Sequence, residues 1–234
     1  GSINSTVSVN TDAGFSIVSY TGNGVGYGSG GATVGHGLSK APEFILAKRR
    51  DSASGWVSYH PNQDGGTNGE RGYMHLNETQ AYADYHEIWA DTKPTASVFK
   101  MGSAGNLNAN NGTYVAYCFH SVEGYSKCSS FVGNGSADGV FVHTGFAVQW
   151  VMIKRTDDVS HWQIHDTARD PHNVMGYQLH ANATDADASA SAYYIDSVSN
   201  GFKLRMSHAG QNASGGNYIY IAFASVPSKF ANAR

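Results

Sequence analysis

The sequence contains one segment twice, and this repeat constrains the fold more than any other feature. Residues 44–60 read FILAKRRDSASGWVSYH, and residues 150–166 read WVMIKRTDDVSHWQIHD. Each copy has an apolar run, a charged turn and a second run containing aromatic residues, which is typical of a β-hairpin. Three residues recur at equal separations, in the pairs Lys48/Lys154, Asp51/Asp157 and Trp56/Trp162. The chain is therefore expected to consist of two duplicated halves built around this hairpin.

Further matches extend the repeat over most of the chain. Residues 14–127 form the first predicted repeat and residues 128–234 the second, and each closes with an apolar strand, YVAYCF or YIYIAF. No polar linker separates them, which favours one compact pseudo-symmetric unit over two abutting sandwiches. Residues 1–13 are polar and without periodicity, so they are expected to be a flexible lead-in.

The composition favours short strands joined by polar turns. The chain has 28 glycines. Charged residues make up 14% of the chain, well below the usual share of about 25%. Residues 44–47 and 150–153 are apolar at every position, so both faces of these strands should be covered. The predicted fold class is all-β, an antiparallel β-sandwich made of the two duplicated halves.

Charge and hydropathy exclude some partners. A net charge of −3 provides no basic surface for nucleic acid. No apolar run reaches the roughly 20 residues that span a bilayer, so membrane insertion is not expected. Gly1-Ser2 is similar to a cleavage scar, and the chain is expected to be part of a longer protein. Cys118 and Cys128 could form a disulfide, but two separate buried thiols are favoured.

Several motifs carry a resemblance to a known family. They are GFSIVSYTGNG (14–24), VGHGL (34–38), TYVAYCF (113–119), EGYSK (123–127), GNGSADG (133–139) and DTARDP (166–171). Over nearly the whole chain after residue 13, the sequence resembles a family of phage and metagenomic virion proteins, associated with tail fibres and of unknown function. The resemblance implies a lectin-like, concanavalin-A-like or jelly-roll-like sandwich. It also implies a virion or extracellular location, a host-surface glycan as ligand, and a homo-oligomer such as a trimer.

Catalytic chemistry finds little support in the sequence. Glycoside hydrolysis needs two facing carboxylates, and no glutamate lies in a predicted strand beside a second acid. Asp166 and Asp170, with Arg169 between them, form the best acidic group. A salt-bridged loop staple is the favoured interpretation of these three residues, ahead of a ligand site and of catalysis. We therefore predict no catalytic residues, no enzymatic activity and no cofactor.

A metal site is also disfavoured, despite 11 histidines. They are scattered over both copies, and none forms the helical HExxH pattern of zinc proteases. His161 and His165 have the i, i+4 spacing, but they lie on a predicted strand rather than a helix. A structural zinc or nickel ion, as at the axis of some trimeric fibres, is the less favoured alternative.

Aromatic residues in variable loops are the best candidates for ligand contacts. Tyr82, Tyr85, His86 and Trp89 cluster in the loop after the first hairpin. Aromatic rings present large apolar faces on which a sugar can stack. The predicted ligand-binding residues are these four, with Asp166, Arg169 and Asp170 in second place. The alternative is that the rings fold back onto the sandwich or contact a second subunit. Tyr193-Tyr194 is a further exposed candidate, whereas a core position is favoured for Trp56 and Trp162.

The preferred function is a non-catalytic phage tail-fibre or virion module that binds a host-surface glycan. A purely structural virion domain, such as a fibre segment or a capsid decoration, is the alternative. A polysaccharide-degrading enzyme is the third hypothesis.

Overall fold

The computed structural model describes residues 1–189 and 193–225. Two compact units divide the chain, Gly1–His120 (unit 1) and Ser121–Arg234 (unit 2). Residues 190–192 and 226–234 of the predicted second repeat lie outside the described residues. Strands joined in antiparallel ladders dominate the described part of both units, so the all-β, antiparallel prediction is confirmed.

Unit 1 is a sandwich-like arrangement of a large and a small sheet. Its elements are β1 (Ser5–Asn10), β2 (Phe15–Thr21), β3 (Ala32–Gly35), β4 (Phe44–Arg49), β5 (Trp56–Tyr59), β6 (Gly72–His75), β7 (Ala83–Asp84), β8 (Val98–Met101), α1 (Gly105–Asn108) and β9 (Thr113–Phe119). The large sheet has the order β1-β2-β9-β4-β5-β6-β7, and the small one pairs β3 with β8. Two short 3₁₀ turns, Tyr27–Ser29 and Gly69–Arg71, lie in its loops.

The core of unit 1 lies between its two sheets. In β9, alternate residues are buried, beginning with Tyr114 and Ala116, as expected for a strand with one face on the core. The small sheet contributes Val34, Phe99 and Met101 to the same apolar cluster. Because β3 and β8 both place side chains against the large sheet, the two sheets bury one apolar layer between them.

Residues 1–13 are not the flexible lead-in that we expected. They contain β1, an edge strand that pairs antiparallel with β2 from Ser5 opposite Tyr20 to Asn10 opposite Phe15. Serine, threonine and valine alternate along β1, and such residues suit the edge of a sheet. The turn into β2 uses Gly14 at φ 62°, and Asn10 Oδ1 accepts a hydrogen bond from the Ala13 N–H at 3.0 Å.

Unit 2 repeats the arrangement of large and small sheets. Its elements are β10 (Ser126–Val132), β11 (Phe141–His143), β12 (Val148–Arg155), β13 (Trp162–Asp166), β14 (Tyr177–His180), β15 (Ala188–Ser189), β16 (Ile195–Val198), β17 (Gly201–Leu204), α2 (Ala209–Asn212) and β18 (Asn217–Ala224). The large sheet runs β10-β18-β12-β13-β14-β15, and the small one runs β11-β17-β16. A separate apolar cluster, with Val151, Phe202 and Tyr220 among its members, forms the core.

The strands that the two units have in common follow the same order, since β2-β9-β4-β5-β6-β7 corresponds to β10-β18-β12-β13-β14-β15. In addition, β1 extends the large sheet of unit 1 and β16 extends the small sheet of unit 2. The central hairpins pair Lys48 with Trp56 and Lys154 with Trp162. This is the arrangement expected of a duplicated chain, although common descent of the halves stays a prediction. Each unit has its own core, whereas the absence of a linker favoured one shared architecture. Trp162 is 1% exposed, as predicted for a core residue, and Trp56 is half-buried.

A tyrosine clamps the short helix in each unit. The Tyr114 hydroxyl donates to Gly105 O and accepts from the Ala109 N–H, both at 2.8 Å. In unit 2 the Tyr218 hydroxyl makes the same two bonds, to Ala209 O at 2.6 Å and from the Ala213 N–H at 2.8 Å. Each tyrosine therefore satisfies backbone groups that α1 or α2 leaves unpaired at its ends.

The cysteines are separate. Cys118 in β9 and Cys128 in β10 are both buried, and neither forms a disulfide, as favoured from the sequence. Burial raises the pKa of the Cys118 thiol to about 12. Among the described residues there is no helix of sufficient length and apolar character to cross a membrane.

Candidate functional site

The loop between β6 and β8 carries the predicted aromatic cluster. Pairing of β7 with β6 and a 2.8 Å hydrogen bond from the Tyr85 N–H to Arg71 O hold the loop on unit 1. Tyr85 is 44% exposed, and the His86 side chain is 54% exposed. Ile88 and Trp89, only a few residues further on, are buried. The loop therefore directs one pair of side chains to solvent and the next pair into the core.

Trp89 is a core residue, so its prediction as a ligand contact is wrong. Its indole is 1% exposed and makes edge-to-face contacts with Tyr59 (centroids 5.5 Å apart) and Phe99 (6.3 Å). Ala90 and Asp91 follow with φ values of 50° and 46°, which turn the chain sharply beside the buried ring. Burial of such a large apolar ring stabilises the folded state, whereas its exposure to solvent would not. The packing of Trp89 also fixes the loop on the sandwich.

Tyr82 is half-buried and contributes less to the surface than predicted. Burial and the nearby carboxylates of Asp84 and Asp64 raise its pKa, so the phenol remains neutral over the physiological range. It lies directly before β7, next to the exposed rings.

Two tyrosines from other parts of the chain complete a row of rings. Tyr27, in a 3₁₀ turn of the glycine-rich loop, is 44% exposed and lies 5.1 Å from His86. The row continues from His86 to Tyr85 at 5.9 Å and from Tyr85 to Tyr73 at 6.5 Å, all between ring centroids. We call Tyr27, His86, Tyr85 and Tyr73 the aromatic strip. Tyr27, His86 and Tyr85 are exposed, while Tyr73, at one end of the row, is partly buried against the core.

Glu87 holds the two segments of the aromatic strip together. Its Oε2 accepts hydrogen bonds from the N–H groups of Tyr27 (3.0 Å) and Ser103 (2.6 Å), and from the Ser103 hydroxyl (2.9 Å). These bonds, with that of the Ser103 N–H the strongest, lower the pKa of Glu87. Gly102 permits the approach, because a Cβ there would collide with Glu87 Oε2. The turn with Tyr27 is thus fixed beside His86.

Charged groups flank the aromatic strip. Arg71 and Asp84 form an ion pair at 3.5 Å, with side chains 59% and 58% exposed. Such an exposed pair contributes little to stability, since solvent screens it. Because both side chains are more than half exposed, they are accessible for hydrogen bonds to a ligand that lies on the neighbouring rings.

Asp166, Arg169 and Asp170 form a loop staple in unit 2. Asp166 pairs with the Arg169 guanidinium and accepts from the Arg169 N–H at 2.8 Å. Asp170 Oδ2 accepts from the N–H groups of Gly176 (2.7 Å) and Tyr177 (3.1 Å). The carboxylates thus bind their own loop, as in the favoured interpretation, and the predicted site residues divide between the two units. Their role in ligand binding stays a prediction.

A separate groove of about 500 Å³ lies on unit 1. Serine, threonine and asparagine side chains line most of it, together with Arg50. Its two tyrosines, Tyr20 and Tyr114, are 5% and 0% exposed, so the groove offers hydroxyl groups and amides without a ring face for stacking. The aromatic strip is therefore the better candidate for a sugar.

The described part of the chain has no group of three or more His, Cys, Asp or Glu side chains arranged to hold a metal ion.

The best acidic pair of the sequence does not have the arrangement of a glycosidase site. Asp166 and Asp170 are both engaged in the loop, whereas a glycosidase presents its two carboxylates to a sugar across a cleft.

The sequence did not point to Tyr27 or Tyr73 as site residues. Tyr27 is far from Tyr85 along the chain and is brought to it by the Glu87 hydrogen bonds, while Tyr73 lies on the preceding strand β6 and is brought to it by the pairing of β6 with β7. The one local signal was an aromatic residue inside a glycine-rich loop, where a large ring has little reason to be unless it packs or binds.

The chain matches one protein family. No curated protein and no solved structure matches it. The family described as "Domain of unknown function (DUF7483)" matches residues 1–227, which is nearly the whole sequence. The chain, with its two sandwich-like units, therefore belongs to the DUF7483 family.

Proposed function

We propose that this domain is a non-catalytic carbohydrate-binding module, and that the aromatic strip of unit 1 is its contact surface for a glycan. The observation that carries the proposal is the row of exposed rings from Tyr27 through His86 to Tyr85. Two of these rings are each 44% exposed, although burial of an aromatic ring is strongly favourable. Their exposure is accounted for if a ligand covers them.

The surroundings of the strip suit a sugar. The apolar faces of the rings can stack on the C–H faces of a pyranose, while Arg71 and Asp84 can hydrogen-bond its hydroxyls. Glu87 holds the rings in place before the ligand arrives. Such preorganisation reduces the entropy that binding must remove.

The resemblance of the sequence motifs to tail-fibre-associated virion proteins supports a location on a phage particle, where the ligand is a polysaccharide of the host surface. The same resemblance supports a homotrimer. A trimer would present several strips to one polymer and would raise the avidity of a weak single contact.

A glycan array of bacterial surface polysaccharides, probed with the wild type and Tyr85→Ala, tests the proposal. We expect the wild type to bind and Tyr85→Ala to bind about 5- to 150-fold more weakly, because one aromatic stacking face contributes about 1–3 kcal/mol, by analogy with the stacking of nucleic-acid bases on aromatic side chains. The melting temperature should change far less than for a core ring, since 44% of the Tyr85 surface is exposed to solvent.

Tyr177→Ala is the matched control. Tyr177 is also a tyrosine, is 45% exposed, and lies in unit 2. It should bind like the wild type. Equal binding by wild type and Tyr85→Ala would contradict a site at the strip. No binding to any polysaccharide would favour the structural virion domain instead.

A further inference from the structure

The groove on unit 1 contains one cation and no carboxylate. Its volume of about 500 Å³ lies within the range of about 300–1,000 Å³ that is usual for small-molecule sites. Arg50 is the one charged residue among those that line it, and it is exposed. Over the described residues, the Arg50 guanidinium forms no ion pair or hydrogen bond with the protein. The groove therefore presents a positive charge that the domain itself leaves unpaired.

The neighbouring Arg49 shows what an arginine with a structural role does at this place. Its guanidinium pairs with Asp51 at 2.9 Å and donates to a carbonyl of the short helix α1 at 3.2 Å. Arg155 of unit 2 makes the equivalent two contacts, at the same two distances. Arg50 makes neither kind of contact, so the stability of the fold does not account for its charge.

Hydroxyl groups lie on the same sheet as this cation. Thr6 is directly opposite Ser19 across the β1–β2 pair. Thr21 is directly opposite Thr113 across the β2–β9 pair. Opposed residues share a face of a sheet, as do residues two apart on one strand, so all four side chains lie on one face. It is the face away from the core, because the intervening Tyr20 is buried. None of these four hydroxyls is hydrogen-bonded to a described residue.

The groove belongs to unit 1 alone. Arg50 donates its N–H to Thr113 O at 2.8 Å. In unit 2 the equivalent bond runs from the Thr156 N–H to Asn217 O at 2.9 Å, so Thr156, which is 2% exposed, takes the place of Arg50. The strand with Thr6 has no counterpart either, because β10, which corresponds to β2, pairs with no described strand other than β18. The cation and one wall of the groove are therefore additions to the repeated fold.

We propose that this groove binds an acidic sugar of the hexuronate class, with Arg50 pairing its carboxylate and the serine and threonine hydroxyls bonding its ring hydroxyls. A planar guanidinium matches a carboxylate through two parallel N–H bonds. One cation balances the single charge of a carboxylate, whereas a phosphate group carries about −1.5 to −2. Serine and threonine hydroxyls both donate and accept, as sugar hydroxyls do. This site is separate from the aromatic strip and does not depend on its function.

The lining disfavours other classes of ligand. None of the residues that line the groove is acidic, so a metal cation would find no carboxylate there. Tyr20 and Tyr114 are buried, so an aromatic ligand would find no ring face. Charge and hydrogen bonds must therefore supply the recognition.

The test is a ¹⁵N–¹H NMR titration of the whole domain with D-galacturonate and D-glucuronate in turn. Low ionic strength is used, because salt screens an exposed charge. We expect at least one uronate to shift the backbone signals of Ser19, Thr21 and Thr113 saturably, with a millimolar Kd. D-galactose and D-glucose, which lack the carboxylate, should bind about fivefold more weakly. Equal binding of the neutral sugars, or no shift with either uronate, would refute the proposal.

Inorganic phosphate is the anion control in the same titration. If phosphate shifts these signals and neither uronate does, the groove is a phosphate site and the assignment to a sugar acid is wrong.

Three variants locate the effect. Arg50→Thr installs the residue of unit 2 and should weaken uronate binding about fivefold. Its melting temperature should not change, because the side chain is exposed and unpaired. Thr21→Val removes one hydroxyl at nearly constant shape and should also weaken binding. Lys93→Thr is the matched control, since Lys93 is exposed, lies outside the groove and changes the net charge equally. Equal losses in Arg50→Thr and Lys93→Thr would assign the effect to net charge and overturn the site.

Tyr85→Ala separates the groove from the aromatic strip. It should retain the uronate shifts of the groove signals in full, even if glycan-array binding is lost. Loss of these shifts in Tyr85→Ala, with Arg50→Thr behaving as wild type, would assign the uronate to the strip and contradict a site in the groove.

Discussion

Single residues decide whether an aromatic loop is a binding surface or part of a core. Tyr85, His86 and Trp89 lie within one short loop, yet the first two face solvent and the third is buried. Trp89 anchors the loop so that the rings preceding it stay fixed at the surface. Exposure of Tyr85 and burial of Trp89 are therefore two parts of one arrangement.

Trp89→Ala should destabilise unit 1 by about 3–5 kcal/mol, because a buried indole is replaced by a cavity next to Tyr59 and Phe99. Urea denaturation followed by circular dichroism measures the change. Tyr85→Ala is the control from the same loop and should shift the midpoint far less. Similar losses in the two variants would mean that Tyr85 is also a packing residue.

Two buried histidines give the domain an acid-sensitive stability. Burial lowers the pKa of His60 to about 3 and that of His165 to about 4, from an ordinary value of 6.5. Below pH 6.5 the unfolded chain takes up protons that the folded chain does not bind, so the free energy of unfolding falls as the pH falls toward 4.

We expect His60→Gln to reduce this dependence between pH 7 and pH 5, because it removes one of the histidines whose pKa burial lowers, while His36, His165 and His180 remain. Denaturant titrations at several pH values provide the comparison, with exposed His172→Gln as the control. An unchanged pH dependence in His60→Gln would mean that His60 is already protonated in the folded state.

Among the elements, the tyrosine clamps on α1 and α2 are the most regular feature of the chain. Tyr114 and Tyr218 each bridge a carbonyl and an N–H of a four-residue helix that is too short to be stable alone. The position of the short helix in each unit thus depends on a tyrosine hydroxyl of the strand that directly follows it.

Tyr114→Phe should destabilise unit 1 by about 0.5–1.5 kcal/mol, since the Ala109 N–H loses its acceptor while Gly105 O keeps only its hydrogen bond from Arg49. Tyr117→Phe, a half-buried residue on the other face of β9, is the matched control and should be close to neutral. Differential scanning calorimetry gives both values. Equal effects would show that water replaces the Tyr114 hydroxyl without cost.

Individual strands and hairpins could be predicted from the sequence better than the contacts between distant segments. Both central hairpins were predictable because a hairpin is encoded by local alternation and by its turn. β1 was missed, since its polar residues resemble a linker unless the partner β2 is known. Tyr27 joins the aromatic strip only through Glu87, a contact between distant segments. Gln163 gave no signal of burial, because a glutamine in a strand ordinarily faces solvent.

The whole molecule consists of two units whose strands pair internally. β1 to β9 find all their named partners within unit 1, and β10 to β18 find theirs within unit 2, over the described residues. Each unit also has its own apolar cluster. Because the sheets of each unit are built from strands of that unit, neither unit needs a strand from the other.

We therefore expect residues 1–120 and residues 121–234, expressed separately, to fold with the β-type circular dichroism and dispersed NMR spectra of native sheets. The size of each piece, above 100 residues, is sufficient for an independent core. If either piece is unfolded alone while the whole chain is folded, the two halves form one cooperative unit, as the absence of a linker first suggested.

The position of the two cysteines has a kinetic consequence. Cys118 lies in unit 1 and Cys128 in unit 2, and both thiols are buried in their sheets. Only a thiolate reacts quickly with labelling reagents, and burial holds Cys118 in the thiol form. A buried thiol such as that of Cys118 can therefore be labelled only after the surrounding strands separate. Cys128→Ser leaves Cys118 as the only cysteine, and Cys118→Ser leaves Cys128. The labelling rate of each variant therefore measures how often the unit that holds the remaining cysteine opens.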